Sequence, residues 1–535
     1  MHEELYKAFQ RDVESDLRES RKIDKILFYG LLLLVAIIPL IVRATIMDYS
    51  SPVLKNTLLE TGPKGDVFTY YKFTTLMVFT IILMTVFLYK MLGVGYVISN
   101  NKLNIFLLVM FTAIIISLLL APYKSLALKG FYNRYDGTLT YICYLVLFFI
   151  SANIVYNKKR IYYLLYSLVP FIIINAMLGV ALLFNYNVLE LSWVNSLIYS
   201  GLPDGATIGE NSKLLTTINN GNYISGFGGV LFAIFFTKAV LGKNIYSKIV
   251  DLVISIFSFS MILTSLSTSG FLTSLLAFLL ILIVSLRTKR FISISIVVFS
   301  FIISSSMLIY TYSNHNPSVW NESIGVFFSE NPFIQEQTAN MIYNGEVRGF
   351  VKDLVGTNQV SADDDVENIN DFELPTLPEP GTAAGSGRLY IWEKTIDLIN
   401  KKPLTGYGLD TLAYFFPQDD PQKIASLMTS EKIVDKPHNM YVGIAFGSGL
   451  IAIIGLIGLI SVHIYNSLRF ILLQRIDSGI NIVFLSLFIG WFAYLIQALF
   501  NDSVVGSATV FWILFGVSVS IYLNKNTVKD SSKIN

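Results

Sequence analysis

Charged side chains are scarce in this chain. They make up 14% of its 535 residues, against 53% hydrophobic, whereas a soluble domain averages about 25% charged. That deficit excludes an ordinary soluble fold and points to a polytopic membrane protein. Cysteine is nearly absent. Cys143 stands alone, so no internal disulfide can form, and no CxxC or Cys/His cluster offers a zinc site. The four histidines, His2, His315, His438 and His463, are too few and too scattered for an all-histidine metal site, and neither metal nor cofactor is expected. No Gly-rich Walker sequence appears, so nothing signals ATP hydrolysis. A net charge of +2 carries no nucleic-acid signature, and no such partner is expected. The one DxD match, Asp363-Asp364-Asp365, lies in an acidic, Pro-rich stretch and reads as solvated charge, not as a nucleotide-sugar site.

Long apolar runs, in contrast, are plentiful. Crossing the hydrocarbon core takes roughly 20 apolar residues as helix. Twelve segments qualify, near 26–45, 73–93, 103–121, 138–156, 161–184, 222–242, 249–267, 270–286, 291–311, 438–464, 479–500 and 504–524. The runs are continuous, not alternating, which argues against a β-barrel, and an open strand in lipid would leave backbone groups unpaired. The expected fold is all-α, with about 12 transmembrane helices and one large extracytoplasmic loop.

Basic residues set the orientation. With the N-terminus inside, the inner segments hold 22 Lys+Arg against 10 Asp+Glu, and the remainder of the chain holds 17 against 27. The expected organisation is a cytoplasmic segment at 1–25, nine spans within 26–311, the large outer loop at 312–437, three spans within 438–524 and a cytoplasmic tail at 525–535. Residues 1–25 mix both charge signs ahead of the first apolar run, so that run is expected to stay as a span and not to be cleaved as a leader. Within the outer loop the stretch from Asp363 to Gly381 reads as a flexible excursion. Arg388–Asn400 reads as an amphipathic helix with Leu389, Trp392, Ile396 and Ile399 at helical spacing.

Few residues could carry chemistry, and most gather on the expected outer face. Arg388 follows Gly385-Ser386-Gly387 and opens the amphipathic helix, where a guanidinium and free backbone N–H groups suit a pyrophosphate; an arginine anchored in lipid headgroups is the plainer reading. His438 follows Lys436-Pro437 at the start of the tenth span. There the helix dipole would keep its imidazole neutral, able to accept a proton from a hydroxyl; for an isolated histidine, an interfacial cap contact is the better bet. Arg134, in Tyr132-Asn133-Arg134-Tyr135-Asp136-Gly137, could hold a phosphate, pair with Asp136 or lie among headgroups. Asn219, Asn220 and Asn222 could donate to a sugar but read better as a turn and helix cap. Asn501 and Asp502 lie between the last two spans, with Asp502 a possible ligand of an acceptor sugar. His463 and His315 read as structural.

Taken together, these residues resemble the O-antigen ligase and polymerase-like family of membrane glycosyltransferases. The resemblance is best over Gly385–Ile460: Gly-x-Gly-Arg with Trp392 four residues on, then Pro403-Leu404-Thr405-Gly406-Tyr407-Gly408, then His438-Asn439, then Gly443, Gly447 and Gly449. Weaker echoes lie at Thr217–Tyr223 and Gln497–Trp512. The resemblance implies a glycan donor on an undecaprenyl-diphosphate carrier, a glycan or lipid acceptor, and inverting transfer without a metal at the outer face of the cell membrane. It implies Arg388 as pyrophosphate ligand and His438 as the group near the acceptor hydroxyl, with Arg134, Asn222, Asn439 and Asp502 as substrate-binding candidates. The family often carries Ser-Arg-Gly at the turn between spans seven and eight. Here the turn reads Ser267-Thr268-Ser269-Gly270, and Arg134 is the expected replacement for the missing cation. Ligase and polymerase differ only in acceptor, which leaves both open. A transporter of lipid-linked sugars is the rival class, disfavoured because span interiors read as almost free of ionisable groups.

Overall fold

The computed structural model describes residues 13–52, 60–99, 101–203, 214–218, 220–328, 330–334, 387–427, 433–473 and 479–524. The acidic excursion, Gly385, Ser386 and Asn219 lie outside them.

Each expected span is a helix. In chain order they are α1 (Val13–Ile37), α2 (Tyr70–Leu92), α3 (Lys102–Leu120), α4 (Thr138–Ala152), the pair α5 (Lys158–Tyr166) and α6 (Val169–Leu183), α7 (Gly221–Leu241), α8 (Ile245–Thr264), α9 (Thr268–Ser285) and α10 (Phe291–His315). After α11 (Arg388–Lys401) come α12 (Met440–Leu473), α13 (Gly479–Gln497) and α14 (Val505–Leu523). Among the described residues, eleven spans, with α5 and α6 counted as one, are long and apolar enough to cross a membrane, so the chain is an all-α polytopic membrane protein. The fourth, α4, has 15 residues, short of the usual span. It still joins both ends of the bundle: it follows the loop holding Arg134, and just beyond its other end the Asn153 carbonyl accepts from Lys90 Nζ at 3.2 Å, at the end of α2. The expected fifth span is interrupted at Ser167–Leu168, immediately before α6. Pro170 lacks an N–H to bond the carbonyl of Tyr166, the last residue of α5, and its ring crowds that carbonyl; it sits in the first turn of α6.

Asparagines in the connections start several helices. Asn101, Asn157, Asn220 and Asn244 each accept a backbone N–H from the first turn of α3, α5, α7 and α8, as N-cap residues do. The cap reading of the Asn219–Asn222 cluster thus holds for Asn220. At the centre, α7 packs against α8, α9 and α13 and is buried all round, while α10 leaves Ile292, Ile296, Phe299, Ile303 and Met307 exposed, as a lipid-facing helix would.

Two features depart from the sequence reading. The first outer segment contains an antiparallel hairpin, β1 (Thr45–Tyr49) with β2 (Gly62–Asp66), in register Thr45↔Asp66; the Asp66 carboxylate then accepts from the N–H of Thr69 at 2.8 Å and Tyr70 at 3.0 Å, which starts α2. Span interiors are also less free of charge than expected. Lys90 pairs with Asp24 at 2.6 Å between α2 and α1, and Lys238 with Asp251 at 2.8 Å between α7 and α8, all buried. Lys72 is buried in the first turn of α2, where it donates to the carbonyls of Phe68 and Thr217. Counting Lys90 and Lys238 as loop charges overlooked that buried aspartates can draw lysines into the bundle.

Candidate functional site

The loops after α1, α3, α6, α8, α10 and α13 converge at one end of the bundle. There the chain preceding α12 meets the turn between α13 and α14. Helix α12 starts at Met440, with Asn439 as its cap: Asn439 Oδ1 accepts from Tyr441 N at 3.0 Å and Val442 N at 3.1 Å. His438 therefore stands just outside the helix, with φ +52°, a left-handed conformation that costs a non-glycine residue roughly 1–2 kcal/mol. Pro437 lies ahead of that turn, outside the helix. The Met440 N–H donates to the carbonyls of Ala498 at 2.9 Å and Asn501 at 3.1 Å, which fixes His438 against the α13–α14 turn.

Asp502 projects from that turn. Its Oδ2 lies 3.1 Å from His438 Nδ1 and accepts from Tyr223 Oη at 3.4 Å. Burial pushes the Asp502 carboxyl up, but the bond to His438 and the charges of His438, Lys436 and Arg134 outweigh it, leaving the pKa below the ordinary 3.8. An ionised Asp502 holds the proton on Nδ1 and leaves Nε2 as an acceptor. Sequence reading gave Asp502 a sugar-binding role; the geometry makes it the partner of His438.

Arg388 arrives on α11. Gly387 precedes it with φ +75°, and a Cβ there would stand 2.4 Å from Leu427 Cδ2, so glycine is needed where the helix begins. The helix is fastened to the histidine segment by Trp392 Nε1, which donates to the Pro437 carbonyl at 2.7 Å. Its buried face comprises Tyr390, Ile391, Thr395 and Ile399, whereas Leu389 and Ile396 are exposed. The face expected from Leu389, Trp392, Ile396 and Ile399 is thus rotated: Leu389 and Trp392 line a cavity while the other apolar row packs inward. Beyond α11, Pro403–Gly408 lies across a kink in α12 at Gly449 (φ +77°), where Tyr407 and Gly408 donate to the carbonyls of Phe446 and Gly447. A Cβ on Gly449 would come within 2.1 Å of the Leu404 carbonyl oxygen, so this close crossing excludes a side chain.

Two cavities meet at His438. The larger, about 800 Å³, has Arg388, Leu389, Trp392, Asp435, Lys436, His438, Asn222, Ser267, Ser269, Leu272, Glu322 and Phe500 among its lining residues. The smaller, about 240 Å³, is lined by Asp66, Thr69, Asn133, Arg134, Asn220, Tyr223, Lys436 and His438. Arg388 and His438 therefore border one space. Burial lowers the Arg388 pKa, and the negative charge of Asp502 is the main opposing influence.

The other candidates divide. Asn222 lines the larger cavity, though its Oδ1 already accepts from Ser267 Oγ at 2.6 Å. Asn439 lines neither cavity and serves as a helix cap. Arg134 lines only the smaller one, where it pairs with Asp410 at 2.8 Å and with Asp435, and not with Asp136. Burial pulls its guanidinium down, but these two carboxylates outweigh it and raise its pKa. The Ser267–Gly270 turn carries a polar network in place of a cation: Glu322 accepts from the Thr268 N–H at 3.0 Å, and Asn501 Nδ2 donates to the Asn222 carbonyl at 3.2 Å. Glu322 and the cavity role of Lys436 escaped the sequence reading; the latter's position two residues before His438 was the available signal. His463 lies within α12, fully buried with its ring against Trp491 and Phe515. His315 closes α10 against Phe184. Among the described residues, no three His, Cys, Asp or Glu side chains converge to hold a metal ion.

A multi-pass helical bundle with a guanidinium and an imidazole bordering one cavity at its end defines a membrane protein with a candidate functional site. Residues 253–457 match the family model described as O-antigen ligase. Over those residues, less than half of its length, the chain is similar to the O-antigen ligase family. The match includes Arg388 and His438 and leaves out Arg134, Asn222 and Asp502. No curated protein matches the chain.

Proposed function

We propose that the protein transfers a glycan from a polyprenyl-diphosphate carrier to an acceptor hydroxyl at the outer face of the cell membrane, in the synthesis of a surface polysaccharide. The observation that carries this reading is the cavity bordered by both Arg388 and His438, with Asp502 paired to His438 behind it. The acceptor oxygen attacks the anomeric carbon as the bond to the diphosphate breaks. Its proton passes to His438 Nε2, since Asp502 keeps Nδ1 protonated and favours the imidazolium that forms. Arg388 offsets the charge growing on the departing lipid diphosphate, the main electrostatic demand of such a step. Apolar Leu389, Leu272 and Phe500 on the cavity wall suit the first isoprene units of the carrier, and the polar smaller cavity beyond His438 suits the acceptor.

The test is a reconstituted transfer assay with a lipid-diphosphate oligosaccharide, offering non-carrier acceptors and carrier-linked repeats in separate reactions. Product with non-carrier acceptors alone defines a ligase; lengthening of carrier-linked chains defines a polymerase. Movement of the donor across the bilayer without any new glycosidic bond would replace the enzyme with a transporter.

A further inference from the structure

The Ser267–Gly270 turn offers no cation, and Arg134 is matched by two carboxylates on the far side of His438. One other basic side chain reaches the larger cavity. Lys436 lines it together with Arg388 and lines the smaller cavity as well. It is only 6% exposed, yet no carboxylate among the described residues lies within ion-pair distance of its ammonium. Among the described residues its hydrogen bond is to the Ser503 carbonyl and is 3.4 Å long, beyond the usual 2.7–3.2 Å. The Tyr223 ring stands 5.8 Å away. An ammonium has three donors, so at least two are unspent, and a buried charge with unspent donors is costly until something anionic meets it. The chain also fixes its place: two residues on, His438 is pinned through Met440 to the α13–α14 turn, and Pro437 between them is held by Trp392.

We infer that Lys436 is the second cation that grips the diphosphate of the donor, working with Arg388 in the larger cavity. This rests on the polyprenyl-diphosphate reading above. Two separated cations suit two phosphates, so Lys436 should matter for the diphosphate far more than for a monophosphate. Were its role only to balance Asp136 and Asp502, which lie near it in the adjoining space, its loss would affect all ligands alike.

The experiment titrates undecaprenyl diphosphate and undecaprenyl monophosphate against the purified full-length protein in lipid nanodiscs, comparing wild type with Lys436→Gln, Lys436→Arg, Arg134→Gln and Arg388→Gln. Lys436→Gln should weaken diphosphate binding about tenfold, the loss of one charge-assisted contact, with much less effect on the monophosphate. Lys436→Arg should restore most of that preference, and Arg134→Gln should leave it in place. Lys436→Met, similar in volume and uncharged, takes over if the glutamine variant does not fold. Wild-type preference in the uncharged Lys436 variants, or an equal loss for both lipids that arginine does not repair, overturns the assignment. If those results came with a large loss in Arg388→Gln, only the role of Lys436 would fall. A wild-type protein that binds neither lipid would remove the donor reading and this inference together.

Discussion

At the scale of single residues, the pairing of His438 with Asp502 makes the sharpest demands. His438→Ala should lower kcat by on the order of 10²–10⁴-fold, the usual range for a general base, with little change in donor binding, as read from initial rates and donor titrations. Unaltered turnover would remove His438 from the mechanism. Asp502 also ties stability to pH. Its folded pKa lies below 3.8, so its contribution is full above that value and is lost as pH falls through the folded pKa. Asp136 behaves oppositely. Burial raises its pKa well above 3.8, against the lowering pull of Lys436, so ionising it costs stability as pH rises toward the folded pKa. Asp136→Asn should therefore increase the apparent melting temperature relative to wild type by an amount that grows as the buffer is moved from acid to neutral. A constant difference across that range would show that Asp136 does not titrate in this way. None of this pairing was legible in the sequence. Asp502 is 64 residues from His438, and Arg134 finds Asp410 and Asp435 at separations of 276 and 301 residues, where no local spacing rule reaches.

At the scale of elements, the spans were legible because length and continuous apolarity are enough to mark them, and because lipid permits little else. The position of Arg388 at the head of a helix was legible for the same local reasons, the glycine before it and the apolar periodicity after it. Which face of α11 turns inward was not. The helix carries two apolar rows, and the packing of Tyr390 and Ile391 with Leu412, Phe416 and Val434 chooses between them. The bond from Trp392 to the Pro437 carbonyl makes α11 a positioning element for the site. Trp392→Phe keeps the ring and deletes the donor, and should cost about 1 kcal/mol, with a reduced kcat measured in the same transfer assay. Gly387→Ala forces a side chain into a left-handed position against Leu427, and should impair activity more than Trp392→Phe, since Arg388 follows directly. Equal activity of the alanine variant and wild type would show that the start of α11 adapts without consequence.

At the scale of the whole molecule, the orientation inferred from the basic loops has a direct test. Cys143 is buried at 4% exposure, while Leu404 at the cavity end is 63% exposed and Tyr246 at the opposite end 78% exposed. A membrane-impermeant maleimide should label Leu404→Cys in intact cells and Tyr246→Cys only after permeabilisation. The reverse pattern would put the cavity in the cytoplasm and end the outer-face reading. The hydropathy profile could supply the number of crossings and their sign bias, but not the meeting of six loops at one end, because that depends on contacts between helices such as α7 and α13 that no stretch of sequence contains.

The two halves of the site are also built differently. The histidine and its aspartate are anchored by main-chain bonds where α12 starts and α13 turns into α14, whereas the arginine is borne on a separate helix whose indole, Trp392, bonds to the Pro437 carbonyl beside them. Exchange of that segment between related proteins could retune which leaving group is accommodated without rebuilding the proton-accepting half, giving evolution a replaceable jaw set against a stationary one.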